Sequence, residues 1–184
     1  GPDGGCEAAT PNPQGVYGPD VITRIIYSDK HEGGLERLQE LAAEGINRIL
    51  TTLAEHAGCA PGDIHVALLS GNTTMCHLAL GLCPSWIRRE PYVACTHRPP
   101  PLPAHDLGLE MHPAGRLFCL PSVSSYVGAD IASGVMATGL HESETLRMLI
   151  DLGTNGEIVV GNREFMACCS ASAGPAFEGG AGTS

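Results

Sequence analysis

Aromatic side chains are scarce in this sequence: one Trp, four Tyr and three Phe, 4% of 184 residues. Hydrophobic residues still make up 43%, so any core has to be aliphatic, built from Ala, Leu, Ile and Val. Cations are few as well. Ten Lys and Arg stand against twenty Asp and Glu, a formal net charge of −10. A nucleic-acid backbone rewards clustered Lys and Arg, and an anionic membrane surface does the same; with ten scattered cations neither partner is expected. No apolar run approaches the roughly 20 residues that a membrane-spanning helix needs. The eight cysteines, at positions 6, 59, 76, 83, 95, 119, 168 and 169, include no Cys-x-x-Cys pair and have no His at finger spacing. Neither a structural zinc site nor an iron–sulfur cluster is expected within this chain. Cys76 and Cys119 lie in apolar runs, where a free thiol behaves as a small hydrophobe. Reduced thiols in a cytoplasm are the simplest reading. The chain opens on Gly1-Pro2 rather than Met, as a protease scar would.

Glycine and proline, by contrast, are plentiful, at 24 and 14. Turns are therefore frequent, and a plain helical bundle is excluded. Residues 1–19 read as extended chain or loop, and residues 21–26 as a short strand or the start of a helix. Apolar positions at 35, 38, 41, 42, 46, 49, 50 and 53 predict a helix over 35–56, closed by Gly58 with Pro61 beyond. A buried strand over 63–69, the pair Gly71-Asn72 and a helix over 73–80 form a strand–loop–helix unit of the α/β kind. Seven prolines fall within 83–115. That density predicts no regular element, only a surface clamp or a partner-facing loop. A strand over 117–120, a helix of small residues over 129–140, and three antiparallel strands over 147–152, 157–160 and 164–168 complete the reading.

The most telling run is Leu149-Ile-Asp151-Leu-Gly153-Thr154-Asn155-Gly156-Glu157-Ile-Val-Val-Gly161. Two apolar strands flank a polar turn, and the first strand delivers Asp151 at its end. The backbones of Gly153 and Gly156 can approach an anion closely, with the Thr154 hydroxyl between them. A phosphate cradle with a metal-facing carboxylate is one reading; a plain Asn-Gly hairpin is the other, and the two are compatible.

Asp151-Leu-Gly-Thr-Asn-Gly-Glu157 resembles the second phosphate motif of the acetate and sugar kinase/heat-shock chaperone/actin superfamily of ATPases. Four further stretches narrow the resemblance: Asn12-Pro-Gln with Tyr17-Gly-Pro-Asp-Val-Ile-Thr-Arg-Ile25, Ser70-Gly-Asn-Thr-Thr-Met75, Leu120-Pro-Ser-Val-Ser-Ser-Tyr-Val-Gly-Ala-Asp130, and Ser172-Ala-Gly-Pro-Ala-Phe-Glu-Gly179. In this order they are similar to the ATPase domain of the reductive activators of corrinoid proteins, over nearly the whole chain. The resemblance implies an α/β fold of ribonuclease-H-like lobes, incomplete here. Residues 1–145 would be the later part of the first lobe, with the Pro-rich excursion, and 146–184 the opening antiparallel strands of the second. A complete member carries an Asp-x-Gly-Thr turn in each lobe, and this chain carries one.

The implied ligands are ATP and Mg²⁺. Asp151 would hold the metal through water, and Gly153, Thr154, Asn155 and Gly156 would contact phosphate. Gly71, Asn72 and Thr73 open a helix and suit an anion, although Asn72 or Thr73 suits a simple N-cap equally well. Asp130 would orient a catalytic water or the metal, or else sit in a first helical turn for the sake of the dipole. Gly174 and Glu178 complete the nucleotide-contacting set. Ser124 and Ser125 read as turn residues, Arg88 and Arg89 as a solvated loop, and the histidines at 65, 77, 97, 105 and 112 as structural or solvated.

The function implied is a fragment of an ATPase that drives a low-potential electron onto an inactivated corrinoid. The partner would be a corrinoid protein or a corrinoid-dependent methyltransferase, and any iron–sulfur cluster would lie outside this chain. A small-molecule kinase of the same superfamily is the alternative, with Asp130 as its base, as is a non-catalytic partner-docking half-domain. The isolated chain is expected not to turn over ATP. Its open strand edges point to a possible homodimer.

Overall fold

The computed structural model describes residues 5–153 and 155–172. The chain enters through a 3₁₀ turn, Pro13–Tyr17, capped by the Asn12 side chain, which accepts from the Gln14 amide. Gln14 is itself buried and donates through Nε2 to the Leu38 carbonyl at 2.8 Å. Helix α1, Val21–Lys30, starts in a reciprocal cap: Asp20 accepts from the Thr23 amide, and Thr23 accepts from the Asp20 amide. Gly18 has no room for a side chain, since a Cβ there would stand 2.3 Å from Thr23 Oγ1. Arg24 is buried, and its Nε donates to the Gly18 carbonyl. The run from Tyr17 to Ile25 is thus spent on turning the chain and starting a helix.

Helix α2, Gly34–Ala57, runs between two left-handed glycines, Gly33 and Gly58. Strand β1, Val66–Leu69, pairs in parallel with β3, Arg116–Cys119, and the two-residue strand β2, Leu102–Pro103, pairs antiparallel on the far side of β3. The inward face of this sheet carries Ala67, Leu69, Leu117 and Cys119 against α2 and α3, Thr73–Ala79. Its outward face is open, with Val66, Leu68 and Phe118 exposed. The sequence predicts a buried strand here. Only alternate residues of β1 face the core, as the pleat of a one-sided sheet requires.

The Pro-rich excursion also departs from expectation. It holds two short 3₁₀ turns and β2, as its prolines dictate, yet it is not a surface loop alone. Ala104, Leu107, Leu109 and Met111 are buried in the main core with Ala43, Leu50, Leu80 and Leu117. Ile87 and Ala94 pack on the fully buried Ile25. Arg88 and Arg89 both reach Asp29 on α1 at 3.0 Å, and Ser85 donates to the same carboxylate, so the segment is pinned rather than solvated. The periodicity reading missed this because isolated apolar residues between prolines carry no period.

Helix α4, Ala129–Ala137, ends earlier than the sequence reading placed it, at a left-handed Gly139. It packs on the second sheet, β4 (Arg147–Leu152), β5 (Asn155–Gly161) and β6 (Met166–Ser172), an antiparallel meander in the order β4-β5-β6. Val127, Ile131 and Leu140 meet Val159 and Leu149. A Cβ on Gly134 would come within 3.2 Å of Leu149, so the small residues of α4 do permit close approach. Register places Met148, Ile150 and Leu152 on the opposite face, beside Val160, Ile158 and Gly156 and then Ala167, Cys169 and Ala171. That face is apolar throughout, and Met148, Ile150 and Leu152 are each more than half exposed. Among the described residues no helix is long and apolar enough to cross a membrane.

Candidate functional site

Three carboxylates converge where α4 meets the second sheet. Asp151, near the end of β4, pairs directly with Glu157 on β5. Glu157 pairs in turn with Ser170 on β6, whose hydroxyl donates to its Oε1 at 3.1 Å. Asp130 lies in the first turn of α4 and feels the charge of Asp151. Burial, then the Asp151 charge, raises the Asp130 carboxyl above its ordinary value, although Oδ1 accepts from the Ile131 amide. Burial raises Glu157 as well, and Asp130 and Asp151 add to the shift. Three like charges held this close are costly unless a cation or a proton offsets them.

The Asn-Gly pair is not the centre of the turn. Asn155 already begins β5, and Gly156 faces Leu152 across the hairpin. The turn is displaced toward Gly153, whose amide donates to the Asn155 carbonyl. This register puts Asp151 and Glu157 opposite one another on one face, an arrangement that sequence reading did not single out. Counting the pairing outward from Leu152 and Gly156, instead of from a turn over 153–156, would have found it. Thr154, Gly174 and Glu178, three of the expected nucleotide contacts, lie outside the described residues.

Gly71, Asn72 and Thr73 do come to Asp130. The Gly71 carbonyl accepts from the Ala129 amide at 2.9 Å and from the Asp130 amide at 3.3 Å. A Cβ on Gly128 would stand 2.5 Å from Asn72 Cα, so the two helix entrances touch backbone to backbone. Asn72 caps α3 by accepting from the Met75 amide, and the buried Thr73 hydroxyl donates to the Ser124 carbonyl. Both side chains are thus employed by the fold. Ser70, Gly71, Asn72, Met75 and Asp130 line a cavity of about 420 Å³ floored by Ile46 and Ile49 of α2.

Ser124, Ser125 and His77 are held in structural hydrogen bonds, one of the readings that their sequence context allowed. Ser124 Oγ accepts from the Tyr126 and Val127 amides, and Ser125 donates to the Tyr92 carbonyl. His77 is buried, with Nδ1 on the Thr73 carbonyl and Nε2 accepting from the Cys95 amide. That pattern fixes a neutral ring, and burial lowers its pKa.

Comparison with known proteins decides the family. The model described as the RACo middle region matches residues 5–143, and that of the C-terminal domain of RACo, the ASKHA domain, matches 145–184. The chain belongs to the RACo family. It is 34% identical over 168 residues to the corrinoid activation enzyme RamQ of Eubacterium limosum, covering 91% of this chain and 28% of that protein. The solved structure of a reductive activator for corrinoid, iron-sulfur protein superposes with a TM-score of 0.86 at 45% identity, covering 92% of this chain and 27% of that one. The chain therefore spans a little over a quarter of the length of these relatives. The mixed α/β architecture with two small sheets agrees with the ASKHA assignment.

Proposed function

We propose that the chain is the part of an ATP-dependent reductive activator that carries one wall of the nucleotide site and the surface on which the two lobes meet. The observation that carries this reading is the convergence of Asp130, Asp151 and Glu157 beside the glycine turn, in a chain whose relatives bear the names of corrinoid activators. The lobes are incomplete here. The partner is a corrinoid protein or a corrinoid-dependent methyltransferase, and an iron–sulfur cluster on another stretch of polypeptide supplies the electron. Eight free cysteines suit a reducing cytoplasm.

The donor set fits Mg-ATP. Among the described residues no three His, Cys, Asp or Glu are arranged to hold a metal unaided. Mg²⁺ asks for no such cage: it keeps several waters and takes one or two carboxylates together with phosphate oxygens. Bound there, Mg-ATP supplies a cation for the carboxylates and binding free energy for closing the lobes. Asp151 would hold the metal through water, and the Gly153 backbone would let phosphate approach. Asp130, seated by the Gly71 carbonyl, holds or orients the attacking water. Glu157 is kept in place by Ser170 and tightens the field at Asp151. Coupling follows from differential affinity: nucleotide that binds the closed arrangement more tightly shifts the protein toward it. Because this chain offers one wall of the site, it does not turn over ATP alone.

Calorimetric titration of the complete polypeptide with Mg-ATP tests the reading. Asp151→Asn should weaken binding by tenfold or more while leaving the melting profile two-state. Unchanged affinity would remove Asp151 from the site.

A further inference from the structure

The eight cysteines are free, and two of them meet inside the fold. Cys76, on α3, is buried; Cys119, the last residue of β3, is half-buried on the core-facing side of its sheet. Their thiols interact side chain to side chain, and both line one narrow internal cleft with His77, Leu120 and Ala129. The Cys76 thiol also donates to the Gly71 carbonyl at 3.5 Å. That same carbonyl holds the Ala129 and Asp130 amides, so Cys76 shares an acceptor with the entrance of α4.

We propose that Cys76 and Cys119 are a thiol pair that a low-molecular-weight disulfide oxidises to an internal disulfide, and that this oxidation loosens the seat of Asp130. Cys119 is the first to react. It is the less buried member of the pair, and its interaction with the Cys76 side chain lowers its pKa. Its thiolate attacks one sulfur of the small disulfide, forms a mixed disulfide and releases one small thiolate. The interaction with Cys119 is the largest cause of the raised Cys76 pKa, and the mixed disulfide removes it. Cys76 then attacks the Cys119 sulfur, closes the internal disulfide and expels the second small thiol. Two protein thiols are oxidised, one small disulfide is reduced to two thiols, and the protein's two protons end on those thiols. Closing the bond turns Cys76 Sγ away from the Gly71 carbonyl and ties α3 to β3. The corner at Gly71-Asn72, against which Gly128 fits with no clearance, shifts beneath α4. A protein serving a low-potential electron transfer would thereby lose its nucleotide-site carboxylate under oxidising conditions. The pairing itself does not depend on the nucleotide reading.

The test uses the 184-residue chain with oxidised glutathione as probe, followed by alkylation and non-reducing peptide mapping. A Cys76–Cys119 cross-linked peptide is expected. Cys119→Ser should leave Cys76 a free thiol, and Cys76→Ser should leave Cys119 as the glutathione mixed disulfide. In the oxidised wild type, hydrogen exchange at the Ala129 and Asp130 amides should quicken by about tenfold, as on loss of a hydrogen bond, and return on reduction. Cys76 remaining reduced, or pairing with another cysteine, would overturn the thiol pair. A cross-link with unchanged exchange at Ala129 and Asp130 would overturn its link to the site.

Discussion

Asp151 and Glu157 stand directly opposite each other in the β4–β5 pairing, two carboxylates on the face that α4 covers. Like charges facing across a sheet destabilise it, and Asp130 adds a third from the helix side. A sheet that keeps such a pair side by side stores a demand for positive charge there. Folding alone gives no reason for it.

Replacing Asp130 by Asn should therefore stabilise the isolated chain. Its native pKa lies above the unfolded value. The native state is thus favoured below the unfolded carboxylate pKa of about 4 and loses stability as pH rises through the native pKa. The variant should gain roughly 0.5–1 kcal/mol at pH 7, allowing for partial exposure, and nothing near pH 4. Urea unfolding at both values checks the sign; a variant less stable at pH 7 would show that Asp130 supports the fold.

His77 should make the protein acid-sensitive. Its native pKa is lowered by burial, so stability is full above the unfolded value of about 6.5 and falls as pH drops through the native value. Protonation also removes the acceptor for the Cys95 amide. Between pH 7.5 and 5.5 the wild type should lose stability. His77→Gln, less stable by about 1–3 kcal/mol at pH 7.5, should show little change over that window.

Gly128→Ala tests the contact between helix entrances. The added Cβ meets Asn72 Cα at 2.5 Å and the Gly71 carbonyl at 2.8 Å, both backbone. A cost of about 1–3 kcal/mol is expected, with faster exchange of the Ala129 and Asp130 amides. Unchanged exchange would mean that α4 is seated by other contacts.

The open face of the second sheet should make the isolated chain self-associate. Met148, Ile150 and Leu152 are exposed in a row along β4, and contiguous apolar surface of this kind marks an interaction site. Sedimentation velocity should show dimers or larger species, and Ile150→Lys should abolish them without loss of ellipticity. A wild-type monomer at high concentration would contradict this.

Much of the fold was legible in the sequence because the signals were local. The 3.6-residue period between Gly33 and Gly58 gave α2 to within a residue at each end. The turn residues after Leu69 gave α3, and the apolar strands around Asp151 gave the meander. What escaped depended on long-range packing or on register. Leu107 and Met111 are core residues only because α2 and β3 come to them. Glu157 joins the candidate site only because the register sets it across from Asp151. Asn72 is a helix cap, one of the two readings that its sequence context allowed, and it lies at the edge of the cavity.

The central claim is that this chain serves ATP-driven reduction of a corrinoid. It is tested most directly by following the cobalt absorption of a corrinoid protein mixed with the complete polypeptide and a low-potential electron donor. Reduced cobalt should accumulate only with Mg-ATP, and the ATP-dependent rate should fall at least a hundredfold in Asp151→Asn, with the melting temperature unchanged. Equal accumulation without nucleotide, or an unaltered rate in the variant, would contradict it.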